Sequence, residues 1–228
     1  RSALMPGTTL EGRWSIRRLL GDGHGGPLWE AFDRELDQRV ALRRLSSDRL
    51  DEVRERLEIL QRSPHPGLAR CFELDETREG PVLVRRLVSG LDWRRLADPA
   101  RPLGAVALVH LLAELGAALV ALHHQGLVHG HLGAGDVIVG PAGSVVITDS
   151  ELPPGDSADS VATVADDVRA LGRLAALALG VDPDDGRVQP FEGLSPELAG
   201  WITRCLGAED GPGCSSVQEL LELLERIE

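Results

Sequence analysis

Tyrosine is absent from all 228 residues, and that gap, beside a wealth of Ala, Gly, Leu and Arg, is the composition of a GC-rich bacterial genome. Cysteine is scarce too. Cys71, Cys205 and Cys214 are too few and too unpatterned for a disulfide framework or a zinc site, so reduced thiols in a cytoplasmic compartment are expected. Basic charge is short: 24 Lys and Arg stand against 36 Asp and Glu, for a net charge of -12. That balance excludes nucleic-acid and anionic-membrane surfaces, which need clustered cations to displace counterions, and leaves proteins as the expected partners. No apolar run approaches the roughly 20 residues that cross a bilayer, and the opening RSALMPGTT lacks a signal-peptide core. The first residue is Arg, from which we expect a piece of a longer protein whose other parts could carry a membrane anchor or further domains.

What is present fits a folded protein, since 43% hydrophobic and 26% charged residues suffice for one domain or two joined lobes with a genuine core. Short apolar runs broken by glycine, Trp14 to Leu20, Leu28 to Phe32 and Arg39 to Leu45, predict a β-meander. Val53, Leu57 and Leu60 recur at helical spacing until Pro64 and Pro66. Two more strands are expected at Leu68 to Leu74 and Val82 to Val88, joined by the polar DETREG, which makes five antiparallel strands with one helix. Beyond Gly90 the period changes. Val106 to His123 reads as a long helix, Val137 to Val139 and Val145 to Thr148 as a hairpin, and Asp166 to Leu179, Pro196 to Leu206 and Val217 to Ile227 as further helices. The predicted class is α+β, with a sheet lobe over residues 1–90 and a shortened helical lobe over 91–228.

This order resembles the protein-kinase fold in its bacterial Ser/Thr form, and motifs along nearly the whole chain carry the resemblance. Gly21, Gly23 and Gly26, followed by Leu28 and Ala31, match the glycine loop that folds over nucleotide phosphates, because glycine lets the backbone approach the anion. They are the candidate nucleotide-binding residues; a tight turn without a ligand is the competing reading. Val40-Ala41-Leu42-Arg43 stands where kinases carry VAIK, so Arg43 replaces the phosphate-binding lysine with a broader planar fork. Counting back from His65-Pro66, the helix glutamate that partners that lysine falls on Arg56.

VHGHLGAGDVIV aligns with the kinase catalytic loop, with His131 in place of the catalytic aspartate, Gly133 of the following lysine and Asp136 of the metal-binding asparagine. Phosphoryl transfer depends on positioning and electrostatics, so these exchanges imply that no catalytic set survives. Asp149 occupies the position of the magnesium-binding aspartate and, with Asp136, could hold a two-carboxylate Mg²⁺ site; an aspartate capping the local turn is the plainer reading. Asp167 matches the aspartate that anchors the catalytic loop, and Arg85 is an arginine at the inner end of the fifth strand.

The resemblance therefore implies a pseudokinase and no enzyme: a signalling scaffold that binds proteins, requires no cofactor and leaves weak ATP and Mg²⁺ binding open. More narrowly, GGPLWEAFDRELDQRVAL resembles the kinase-like domain of actinobacterial MviN-type lipid II flippases. That family implies an active Ser/Thr kinase and a phosphothreonine-binding forkhead-associated protein as partners. Thr163, Ser157 and Ser160 are then the candidate phosphosites, since added charge on a short segment can create an arginine-binding anchor. A nucleotide sensor and an atypical phosphotransferase of very low activity, using Asp149, Asp136 and His131, are the alternatives.

Overall fold

A computed structural model describes residues 4–23, 25–98, 100–154, 161–207 and 216–226. The chain divides into two units, one made of Arg1–Pro64, Ala69–Val88 and Glu151–Pro153, the other of His65–Leu68, Ser89–Ser150 and Pro154–Glu228.

Among the described residues the first unit is an antiparallel sheet with one α-helix. Its strands are β1 (Thr9–Leu10), β2 (Trp14–Gly23), β3 (Gly26–Asp33) and β4 (Gln38–Arg44), then, after α1 (Leu50–Arg62), β5 (Cys71–Thr77) and β6 (Gly80–Arg86). The order is β1-β2-β3-β4-β6-β5, six strands where five were expected. The added one is a two-residue strand, too short to show alternation, that pairs with Trp14 and Ser15 across the Glu11–Gly12 turn. DETREG is no simple loop either. Its first three residues continue β5, and Thr77 pairs with Gly80, leaving a two-residue turn.

Alternation along the strands sorts their side chains between two clusters, as period 2 requires. Trp14, Ile16, Ala31, Val40, Leu42, Val82 and Val84 fill one with Leu10. Leu83 lies in the other, with Leu45, Val53, Leu57, Cys71 and Leu152. Because Arg43 pairs with Leu83 and Ala41 with Arg85, period 2 puts these two buried arginines on the face of the second cluster. On α1 the buried residues are Val53, Arg56 and Leu57, an i, i+3, i+4 stripe.

The second unit opens with β7 (Leu91–Asp92) and the single turn α2 (Trp93–Leu96), followed by the long α3 (Ala105–His123). The hairpin β8 (Val137–Val139) and β9 (Val145–Ile147) precedes α4 (Val164–Ala178), α5 (Pro196–Leu206) and α6 (Val217–Leu224). By length and composition α3 is apolar enough to span a bilayer, contrary to the expectation from sequence; its Leu108, Leu111, Leu112, Leu115, Leu119 and Leu122 are buried within the fold. Two tryptophans tie the layer together: the Trp93 indole N–H donates to the Leu174 carbonyl at 2.9 Å and that of Trp201 to the Leu220 carbonyl at 2.8 Å. Gly200, exposed inside α5, has open space where a Cβ would stand. Gly200→Ala should therefore raise stability by about 0.5–1 kcal/mol, read as a higher urea midpoint, because alanine forms helix better and meets no neighbour.

Candidate active site

The glycine loop is a tight β2–β3 connection in which Gly23 pairs with Gly26, and Gly26 takes φ +84°. Gly21 and Gly23 lie within β2 and Gly26 opens β3. Beneath the loop stands Arg43, 3% exposed, whose Nη1 donates to the Gly26 carbonyl at 2.9 Å. A Cβ at Gly25 would stand 2.6 Å from that Nη1 and would overlap the Leu152 side chain. The loop thus rests on Arg43 and Leu152.

Arg56 and Arg85 are buried in the same unit, and so is Glu151, which is 0% exposed and accepts from Arg85 Nη1 at 3.3 Å. Sequence reasoning placed Arg43 at the lysine position, Arg56 at that of its glutamate partner and Arg85 on the fifth strand, and did not count Glu151 among the site residues. The signal was there: Thr148-Asp149-Ser150-Glu151 carries a glutamate where the kinase motif has glycine.

The catalytic-loop residues lie in the second unit, organised by Asp167 on α4. Its fully buried carboxylate accepts from the backbone N–H groups of His129 at 2.9 Å and Gly130 at 2.8 Å, and from His123 Nε2 at 2.8 Å. Gly130 has φ +74°, and a Cβ there would stand 2.6 Å from Ala162 Cβ and 2.9 Å from Pro154 Cβ, so only glycine fits this bend. The buried His129 donates through Nε2 to the Thr148 carbonyl at 3.0 Å, and its ring lies 4.3 Å from that of His131. His131, at the position of the catalytic aspartate, is thus half-buried against a second imidazole.

Asp136 turns inward on its own loop, its Oδ2 accepting from the Gly133 N–H at 2.8 Å and its carbonyl from the Thr148 N–H at 2.7 Å. Asp149 is buried with φ +64°. Among the described residues no group of three or more His, Cys, Asp and Glu gathers as metal ligands. Thr163 is exposed at the start of α4, where its N–H and hydroxyl donate to Asp166 Oδ2 at 2.7 and 3.0 Å. Burial alone would push the Asp166 carboxyl up, but the bonds from Thr163 and Arg169 outweigh it and hold it below its ordinary range. Ser157 and Ser160 lie outside the described residues.

No family model matches the chain. Its six-stranded sheet unit and helical unit superpose on the crystal structure of Rad53 in complex with AMP-PNP with a TM-score of 0.74, over 92% of this chain and 64% of that one, at 22% identity. The chain has a protein-kinase-like fold. It is also similar in sequence to the serine/threonine-protein kinase PknA of Mycobacterium tuberculosis, 35% identical over 157 residues, covering 63% of this chain and 36% of the relative. The DNA damage-responsive serine/threonine-protein kinase RqkA of Deinococcus radiodurans is 33% identical over 159 residues, covering 65% and 23%. The matched region spans about a third or less of these relatives' own lengths. The chain is a kinase-like domain homologous to Ser/Thr protein kinases.

These kinase relatives overturn the expectation that the domain is not an enzyme. That expectation weighed single residues, and two of its exchanges follow from composition. The chain has no lysine and no asparagine anywhere, so an arginine at position 43 and an aspartate at 136 mark a general replacement of both residue types as much as a loss at the site. The physical distinction between the two cations still holds locally, since the Arg43 fork occupies the loop.

Proposed function

We propose that this kinase-like domain is a signalling module that works by binding protein partners and transfers phosphate slowly. The closed glycine loop over Arg43 and Leu152 carries the reading, because a nucleotide must displace both side chains before it can reach the loop. His131 supports it, since an imidazole packed on His129 replaces the carboxylate that orients the acceptor hydroxyl in kinases. The resemblance to the flippase-linked kinase-like domains supplies the partners we propose, an active Ser/Thr kinase acting on Thr163 and a forkhead-associated domain that reads the product. A phosphate on Thr163 would sit at the N-terminus of α4, where the helix dipole favours an anion, but would drive Asp166 out of the cap.

The test pairs two assays on the protein treated with an active Ser/Thr kinase. Capture of a forkhead-associated domain is expected for the wild type and lost in Thr163→Val. Transfer by the domain itself is expected well below roughly 1 s⁻¹, the bottom of the range for protein kinases. Rates of 1 s⁻¹ or more, or capture untouched by Thr163→Val, would sink the reading.

A further inference from the structure

We propose that Glu151 and Leu152 form an intramolecular plug that holds the glycine loop shut against nucleotide, with Glu151 as its latch. The proposal rests on the kinase-like reading of the loop. Three independent features of the sheet unit lead to it.

First, the plug comes from far along the chain. Glu151–Pro153 belong to the sheet unit although the rest of that unit ends at Val88. Second, both residues are seated as core residues are. Leu152 is 4% exposed and packs with Leu45, Val53, Leu57, Cys71 and Leu83, side chains from the end of β4 to β6. Glu151 is fully buried and paired with Arg85, which lies opposite Ala41 on β4 and Cys71 on β5. An ionised carboxylate is held in such a place only by a cation, so the latch depends on charge as well as on shape. Third, the loop itself touches the plug: a Cβ on Gly25 would overlap Leu152 and crowd Arg43, whose Nη1 donates to the Gly26 carbonyl. The loop, Arg43 and Leu152 make one packed layer.

A nucleotide entering under the loop must therefore expel Leu152 and free Arg43, and its apparent affinity is reduced by the small fraction of molecules in which the plug is out. Weakening the latch raises that fraction. Glu151→Gln keeps the size of the side chain and removes its charge; Leu152→Ala removes the part that fills the layer.

The experiment titrates wild type, Glu151→Gln and Leu152→Ala with Mg–ATP, following melting temperature and deriving apparent Kd, with folding checked by circular dichroism. Both variants are expected to bind at least about tenfold more tightly than the wild type. Alkylation of Cys71, which is 8% exposed beside Leu152, is expected to run faster in Glu151→Gln, an independent readout of plug release. Equal affinity in the wild type and every folded variant overturns the proposal, as does equal Cys71 alkylation in wild type and Glu151→Gln. Should Leu152→Ala fail to fold, Glu151→Gln decides. Forkhead-associated capture through phosphorylated Thr163 is measured in the same variants: its loss beside a gain in ATP affinity would sink the proposed function and leave the plug standing, and the reverse pattern would sink the plug alone.

Discussion

Asp33→Asn is expected to destabilise the sheet unit by about 2–4 kcal/mol, the cost of leaving two or more buried donors without an acceptor, measured by urea unfolding at neutral pH. Asp33 ends β3 fully buried, and its two oxygens accept five N–H groups. Oδ1 takes Arg13 Nε at 3.0 Å and the backbone N–H groups of Glu35 at 2.9 Å and Leu36 at 3.1 Å; Oδ2 takes Arg13 Nη2 at 2.7 Å and the Trp14 indole at 2.9 Å. An asparagine amide has one accepting oxygen, so in either orientation its NH₂ faces donors that lose their acceptor. Arg13, which Asp33 and Glu73 hold well above the ordinary arginine range, would lose the carboxylate that takes two of its N–H groups and keep Glu73 and Glu35.

The same residue sets a pH dependence. Burial alone would push the Asp33 carboxyl up, but the bonds from Arg13, Leu36, Glu35 and Trp14 outweigh it and hold it below its ordinary range. A carboxyl depressed in the folded state contributes stability that is complete above its unfolded value, about 3.9, and is lost as pH falls through the folded value. Unfolding curves below about pH 4 should therefore show the gap between wild type and Asp33→Asn narrowing as acid is added. A gap that stays constant down to pH 2 would show that Asp33 is not the group responsible.

Asp167→Asn is expected to cost about 2–4 kcal/mol and to loosen the catalytic loop. Oδ2 accepts from both the His129 N–H and His123 Nε2, while Oδ1 accepts from the Gly130 N–H. If the asparagine oxygen keeps the Oδ2 partners, its NH₂ confronts the Gly130 N–H. If it flips, two donors are stranded instead of one. Because Asp167 holds residues 129 and 130, one position ahead of His131, the loss should appear both as a lower urea midpoint and as faster amide exchange at 129 and 130. Unchanged exchange there would mean that something other than Asp167 holds the loop. Asp167→Glu does not rescue the geometry in this reading, since the extra methylene has no room in a site with zero exposure.

Much of this architecture was legible beforehand because it is local. Val82, Val84 and Leu42 announce a strand by alternation, and Val217, Leu220 and Leu224 announce a helix by their spacing; both periods follow from backbone geometry within a few residues. The glycine loop, VHGHL and Asp167 could be placed because motifs keep their order along a chain. The enzyme expectation failed for a related reason. Substitutions read one at a time ignored that lysine and asparagine are missing throughout, and the Ser/Thr-kinase relatives carried more weight than Arg43 or Asp136.

By itself, then, the sequence determined a kinase-like α+β chain, the positions of its longer strands and helices to within a few residues, and which residues stand at the family's functional positions. Tertiary structure alone decided that Asp33 gathers five donors, that two residues of β1 add a sixth strand, and that Glu151 and Leu152 belong to the sheet unit. Those facts depend on where distant segments meet. Arg85 and Glu151 are 66 positions apart, and no periodicity or local propensity reaches that far; only the path of the whole chain brings a carboxylate to that arginine.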